Sequence, residues 1–195
     1  MLVLFNVRSF IIEGNELVLV DTGFNDSSAK NIIKTLETIN KSLTDVSLCI
    51  LTHSHRDHVG SLKALKEKGD FLVAAHEAEA SSIEEATGIE VDLPLVDGQE
   101  IAGLSVLYLP GHTLGNISLL AGESLIAGDT LFGGENGLKF PNRFFSQNLD
   151  MVKASILHLD NFNFDRILVS HGKNIESGGK QALNKLIDSH LTDTK

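Results

Sequence analysis

The chain has 195 residues, of which 42% are hydrophobic and 22% charged, a composition typical of a globular protein with a sizeable core. Its formal net charge of −10, with no dense run of lysine or arginine, argues against nucleic acid as a partner. Cys49 is the single cysteine, which excludes an internal disulfide and favours a reducing, cytoplasmic location. No apolar run is long enough to span a bilayer, and the first residues lack the basic segment of an export signal, so we expect neither membrane insertion nor export.

Hydrophobic periodicity predicts strands and helices along the whole chain. The first predicted elements are a hairpin of strands 2–12 and 17–20, a helix at 27–40 with Asp26 or Ser27 as its N-cap, and a strand at 46–51. Beyond them the pattern predicts helices at 61–68, 76–85, 150–159 and 177–191, strands at 71–75, 116–121, 124–127 and 166–169, and one or two strands at 101–109.

The predicted strands fall into two groups, and each group is followed by helices. This order predicts an α/β (α+β) protein with two mixed sheets that pack face to face and carry helices outside. No linker, repeat or low-complexity stretch interrupts the chain, so residues 1–195 are expected to form a single domain. The segment 133–148 lies between predicted elements and is long enough to be a candidate active-site flap.

A histidine-rich run follows the predicted strand 46–51 directly. In the sequence His-Ser-His-Arg-Asp-His at 53–58, His53 and His55 alternate and can face one side of an extended loop. Asp57 and His58 follow and can face a neighbouring position. Solvated histidines would be the ordinary alternative for a surface loop, but this combination of imidazole and carboxylate groups favours a loop that supplies ligands to two metal ions.

Three further candidate ligands each follow a predicted strand and stand beside glycine. His112 lies in Pro-Gly-His-Thr, Asp129 in Gly-Asp-Thr and His171 in Ser-His-Gly. Functional groups converge where strands end at a common edge, and glycine allows the backbone to turn tightly there. Together with the run 53–58, these residues predict a complete metal site.

This set of motifs resembles the metallo-β-lactamase superfamily, whose pattern is His-x-His-x-Asp-His, a later Pro-Gly-His, a Gly-Asp-Thr and a final His-Gly. The resemblance covers nearly the whole chain. It implies a four-layer αββα sandwich with two divalent metal ions in a groove at one edge of the sheets. It assigns His53, His55 and His112 to one ion, Asp57, His58 and His171 to the other, and Asp129 as a bridge.

The resemblance also implies roles beyond the direct ligands. Asp21, at the end of predicted strand 17–20, matches an aspartate that orients ligands by hydrogen bonding, although a cap or turn role is the alternative. Asp57 is expected to orient the attacking water as well as to bind metal. Zinc suits a ligand set without thiolate, and iron or manganese would also be accepted. His55 favours hydrolysis, because flavodiiron relatives usually have glutamate there.

The implied activity is hydrolysis by a hydroxide that bridges the two metal ions. The nearest branch is similar to glyoxalase II, which predicts cleavage of a small thioester or ester. Two features depart from that branch: the chain ends soon after His171, without the branch's helical C-terminal domain, and residues 131–135 differ from its Gly-Cys-Gly stretch. A lactonase, a mononuclear-iron persulfide dioxygenase and a non-catalytic binding module stay open as alternatives, while the partner expected is a small-molecule substrate. The oligomeric state is not indicated.

Overall fold

The computed structural model describes residues 7–192, which form two compact units, 7–96 and 97–192. Part of the predicted strand 2–12 lies outside the described residues. That residues 1–195 form a single domain stays a prediction. Among the described residues, no helix is both long and apolar enough to cross a membrane.

The first unit is built on a five-stranded mixed sheet in the order β1-β2-β3-β4-β5. Strands β1 and β2 pair antiparallel, and the other neighbours are parallel. The predicted hairpin and the predicted strand 46–51 are confirmed, whereas β5 was missed because proline at its centre is a poor signal for a strand. The strands are β1 (Phe10–Glu13), β2 (Leu17–Val20), β3 (Val46–Leu51), β4 (Leu72–His76) and β5 (Leu93–Leu95).

Helices cover this sheet through their apolar residues, which join one buried cluster with the strands. Leu36, Cys49 and Phe71 are fully buried members of that cluster. The N-cap of the first helix is Asn25, whose side chain accepts from the Ser27 N–H, so the predicted caps one or two residues later were wrong. The helices are α1 (Asp26–Thr38), α2 (Arg56–Val59), α3 (Leu62–Lys66) and α4 (Ala80–Thr87).

The second unit contains a mixed sheet in the order β12-β9-β8-β7-β6 and a separate hairpin of β10 and β11. Its strands are β6 (Glu100–Ile101), β7 (Leu104–Tyr108), β8 (Ile117–Ala121), β9 (Ser124–Ile126), β10 (Phe132–Gly134), β11 (Gly137–Lys139) and β12 (Arg166–Leu168). Because β12 is parallel to β9 and the other neighbours are antiparallel, β7, β9 and β12 all run in one direction. Their carboxyl ends therefore meet at one edge.

Helices α5 (Leu149–His158) and α6 (Gly179–Thr192) pack on this second sheet, with Ile156, Ile167 and Leu183 in the shared core. The segment 133–148, predicted as a loop, begins with the β10–β11 hairpin. Its strands escaped prediction because glycine occupies three of their six positions and leaves no alternation of apolar side chains. Two mixed sheets with flanking helices confirm the predicted α/β class.

Candidate metal centre

In the first unit, the histidine-rich run begins where β3 ends and continues into the single turn of α2. The ring centroids of His53 and His58 lie 4.0 Å apart, and those of His53 and His55 lie 4.8 Å apart. Ligand-capable atoms lie within 4.8 Å of each other for His53 with His55, His53 with His58, and Asp57 with His58. His53 and His58 are buried, while His55 and Asp57 are partly exposed. The run therefore gathers four donors at one sheet edge.

Asp21 lies under this loop because β2 and β3 are parallel neighbours and end at the same edge. Its fully buried carboxylate accepts from the Thr52 N–H at 2.8 Å, from the Thr52 hydroxyl at 2.8 Å and from His58 Nδ1 at 2.7 Å. The Asp21 backbone has a φ of 57°, a left-handed conformation that aspartate tolerates better than most residues. Asp21 thus holds both the strand end and one histidine.

The same bonds fix which nitrogen of each histidine faces outward. Since Asp21 can only accept, His58 Nδ1 carries the hydrogen and Nε2 keeps its lone pair for a metal. The Thr52 hydroxyl donates to Asp21 and therefore accepts from His53 Nδ1, 3.1 Å away. His53 consequently also presents Nε2. Neutral imidazole with its Nδ1–H held by oxygen is the usual arrangement of a metal ligand, so these residues fit a metal.

In the second unit, the carboxyl ends of β7, β9 and β12 bring three predicted ligands together. Asp129 Oδ2 lies 3.2 Å from His112 Nε2, and Asp129 Oδ1 lies 3.4 Å from His171 Nε2. Two ligand atoms at the usual distances from a tetrahedral zinc ion are about 3.3–3.6 Å apart. The Asp129–His171 spacing falls within this range and the Asp129–His112 spacing lies just below it, so both are close to what a metal requires, with one carboxylate oxygen turned to each histidine.

Neighbouring groups hold these histidines in place. The Ser146 hydroxyl donates to the Asn142 carbonyl and lies 3.3 Å from His112 Nδ1, so it accepts from that nitrogen and leaves Nε2 facing Asp129. The His171 ring stands 4.9 Å from the ring of Phe132 in β10.

The backbone beside His171 also packs closely on β10. The Gly133 N–H donates to the His171 carbonyl at 2.8 Å. Gly172 has a φ of 90°, and a Cβ atom there would overlap the Gly133 carbonyl oxygen. Only glycine fits at this contact, which joins the β10–β11 hairpin to the segment that carries His171.

Sequence reasoning missed Thr52, Ser146 and Glu79, whose side chains contact the candidate ligands or their loop. Thr52 links Asp21 to His53, and Ser146 accepts from His112. Glu79 is almost fully buried and accepts from the Ser54 N–H at 2.8 Å, between two candidate ligands. Thr52 adjoins the motif and could have been suspected. Glu79 and Ser146 come from distant segments with no local signal.

Comparison with known proteins places the chain in a family. The family model of the metallo-β-lactamase superfamily matches residues 2–171, so the chain belongs to that superfamily. A relative from Bacillus subtilis (strain 168), named "Probable metallo-hydrolase YqgX", is 31% identical over 56% of this chain and 57% of its own length. A "Hydroxyacylglutathione hydrolase" from Rhodopseudomonas palustris (strain BisB5) is 39% identical over 46% of this chain and 34% of its own length. The chain thus spans between a third and three fifths of these two relatives.

Solved structures agree on the fold. The metallo-β-lactamase family protein TTHA1429 from Thermus thermophilus superimposes with a TM-score of 0.73, at 25% identity, over 95% of this chain and 75% of that one. The predicted metallo-β-lactamase-like fold is therefore confirmed. Members of this superfamily are mostly hydrolases, and the chain carries histidine and aspartate residues suited to metal.

Proposed function

We propose that this protein is a metal-dependent hydrolase whose two groups of donors hold two divalent metal ions. One ion would be held by His53, His55 and His112, the other by Asp57, His58 and His171, with Asp129 shared between them. The observation that carries the proposal is the Asp129 carboxylate, which turns one oxygen to His112 and the other to His171 at ligand-like spacing. The superfamily's ligand pattern supports the rest of the assignment.

The donor set consists of imidazole and carboxylate groups without thiolate, which favours zinc and also accepts iron or manganese. Bound divalent ions would supply Lewis acidity that lowers the pKa of a water and polarises the substrate carbonyl. The chain's own part is to hold the donors in place before the reaction. His53 and His58 already have their Nδ1 hydrogens engaged, so little reorganisation accompanies binding.

Asp57 is the residue that we propose orients the attacking water and takes up its proton. Its side chain is 26% exposed, so it borders solvent while its Oδ2 stays 3.9 Å from His58 Nε2. A carboxylate in this position can accept a hydrogen bond from a water that approaches the substrate.

We propose a small thioester or ester as the substrate, as in glyoxalase II. The support is the relative named hydroxyacylglutathione hydrolase, with which this chain shares 39% identity over the matched region. The match covers 34% of that relative. The proposed substrate therefore rests on analogy with this relative, whereas the proposed metal site rests on the residues of this chain. A small-molecule substrate also suits the net charge of −10, which disfavours nucleic acid. The single, buried cysteine is compatible with our proposal of a cytoplasmic location.

Elemental analysis of the purified protein, combined with assays on a thioester, a lactone and a phosphodiester, tests the proposal. We expect two equivalents of divalent metal and highest kcat/KM on the thioester. Preference for the lactone would contradict the proposed substrate class but leave the proposed hydrolase activity in place. One iron per chain with oxygen consumption would indicate a persulfide dioxygenase instead. Stoichiometric metal without any turnover would favour a binding module, and protein without metal would contradict the proposal.

A further inference from the structure

A chain of buried hydrogen bonds joins the turn that carries His112 to the turn that carries Asp129. Asn116 is fully buried, and its Nδ2 group donates to the Leu109 carbonyl at 2.9 Å and to Thr130 Oγ1 at 2.8 Å. Leu109 precedes His112 and Asn116 follows it, and a backbone bond from the Leu109 N–H to the Asn116 carbonyl closes the segment. Thr130 directly follows Asp129. One side chain therefore reaches both turns.

The chain of bonds continues into the sheet. Ser118 Oγ in β8 lies 3.1 Å from Thr130 Oγ1 and donates to the Ala127 carbonyl at 2.9 Å. Because the Ser118 hydrogen goes to Ala127 and both Asn116 amide hydrogens are used, the Thr130 hydroxyl accepts from Asn116 and donates to Ser118. Each link has a single possible direction, and bonds aligned in this way polarise one another in a buried environment.

Asn116 makes these bonds at a cost. Its Oδ1 atom is buried and has no hydrogen-bond partner among the described residues. An unsatisfied buried acceptor lowers stability, and rotating the amide would turn that oxygen towards the Leu109 carbonyl. The orientation of the Asn116 side chain is thus set by the two hydrogen bonds that its amide group donates to Leu109 and Thr130.

We propose that Asn116 and Thr130 are positioning residues that keep His112 and Asp129 at the spacing required to share one metal ion. The proposal rests on the proposed metal-dependent function. Neither side chain has to touch metal or substrate, since both act through the two turns. Loss of the Thr130 hydroxyl would remove an acceptor from Asn116 and a donor to Ser118, which would release the Asp129 turn from the His112 turn.

Three variants test this. Thr130→Val is nearly isosteric and deletes both bonds, while Thr130→Ser keeps the hydroxyl. Thr87→Val is the matched control, because the Thr87 hydroxyl also makes two bonds, to the Ile83 carbonyl at 2.7 Å and from the Ile89 N–H at 3.1 Å, in the other unit. The readouts are Zn²⁺ affinity by competition with a chelator, the absorption spectrum of the Co²⁺-substituted protein, and the free energy of unfolding of the metal-free protein.

We expect Thr130→Val to lower Zn²⁺ affinity by about tenfold or more and to alter the Co²⁺ spectrum, as loss of a group that orients a ligand does. Thr130→Ser should restore both. Thr87→Val should lower stability and leave both metal readouts unchanged. Wild-type Zn²⁺ affinity in Thr130→Val, or an equal loss in Thr87→Val, would overturn the inference.

If Thr130→Val does not fold, Ser118→Ala gives a second test. Of the two hydrogen bonds that the Thr130 hydroxyl makes with side chains, it removes only the one with Ser118, so it should lower Zn²⁺ affinity by a smaller factor than Thr130→Val. Unchanged affinity would count against the inference. Failure of the proposed function has a different signature: the wild-type protein itself would bind neither Zn²⁺ nor Co²⁺.

Discussion

The two groups of candidate ligands are held in place by different means. In the first unit, the donors stand in one run of sequence, and the buried carboxylate of Asp21 orients His58 directly and His53 through Thr52. In the second unit, His112, Asp129 and His171 come from three separate strand ends, and neutral hydroxyls such as Ser146 support them. The first group is thus brought together by closeness in sequence, and the second by the shared direction of the three strands that precede its residues.

This difference has an energetic consequence. A buried carboxylate that accepts three hydrogen bonds leaves several buried donors unsatisfied when it is removed. A partly exposed hydroxyl such as that of Ser146 can be replaced by water. The first group should therefore lose most when Asp21 is removed, whereas the second should tolerate loss of the Ser146 hydroxyl better.

Removing a ligand should have the largest effect and should be equally severe in both groups. We expect His53→Ala and Asp129→Ala to lower metal content and kcat/KM beyond the roughly 10- to 100-fold loss typical of residues that only orient ligands. Metal analysis and a hydrolysis assay measure this. His158→Ala, an exposed histidine outside the motifs, is the control and should match the wild type. If both ligand variants kept their metal and activity, the assigned centre would be wrong.

Substitution of Asp21 should have the second-largest effect and should distinguish the first group of ligands from the second. Asp21→Ala leaves buried donors of Thr52 and His58 without an acceptor, so the free energy of unfolding should fall by more than about 3 kcal/mol. Asp21→Asn tolerates the positive φ and keeps one acceptor, so it should fold better yet still lose about 10- to 100-fold in metal affinity.

Ser146→Ala is the counterpart in the second unit. It removes the oxygen that accepts from His112 Nδ1, at a position open to water. We expect its metal affinity to fall by less than that of Asp21→Asn in the same chelator competition. An equal or larger loss would show that hydroxyl support matters as much as the buried carboxylate.

Glu79→Ala should have a moderate effect confined to the first unit. Its carboxylate accepts from the part-buried Ser54 N–H, and without it that backbone donor loses a hydrogen bond to a charged group, worth about 1.5–3 kcal/mol. Chemical denaturation should report this loss, together with weaker metal binding. Glu77→Ala is the matched control because Glu77 is exposed on the same turn. Identical behaviour of the two variants would contradict a role for Glu79 in fixing the loop.

The smallest effect should concern Glu135, in the turn between β10 and β11. The hydrogen bond from Lys173 at 2.7 Å holds the pKa of this carboxyl below its ordinary value of 4.5. A lowered pKa means that the pair stabilises the charged form above that value and that this contribution disappears as the pH falls through the lowered pKa. Carbon-detected NMR titration should show the shift, and Lys173→Met or high salt should remove it.

Much of this architecture could be predicted from the sequence, for reasons visible in particular elements. The aliphatic run of β3 and the turn between β8 and β9 are local signals, and both predictions are confirmed. The N-cap at Asn25 and the glycine-rich β10–β11 hairpin were not predicted, because neither depends on apolar periodicity. Motif spacing pointed to the candidate ligands, but their supports at Glu79 and Ser146 depend on contacts distant in sequence.

Cys49 gives the chain an internal reporter of opening. The thiol is completely buried in β3, and burial raises its pKa, so alkylating reagents should reach it only when the strand separates from its neighbours. Because β3 precedes the histidine-rich loop, the alkylation rate would measure how often the strand that supports this loop separates from the sheet. Bound metal should slow that rate by the same factor by which it lowers the population of the open state.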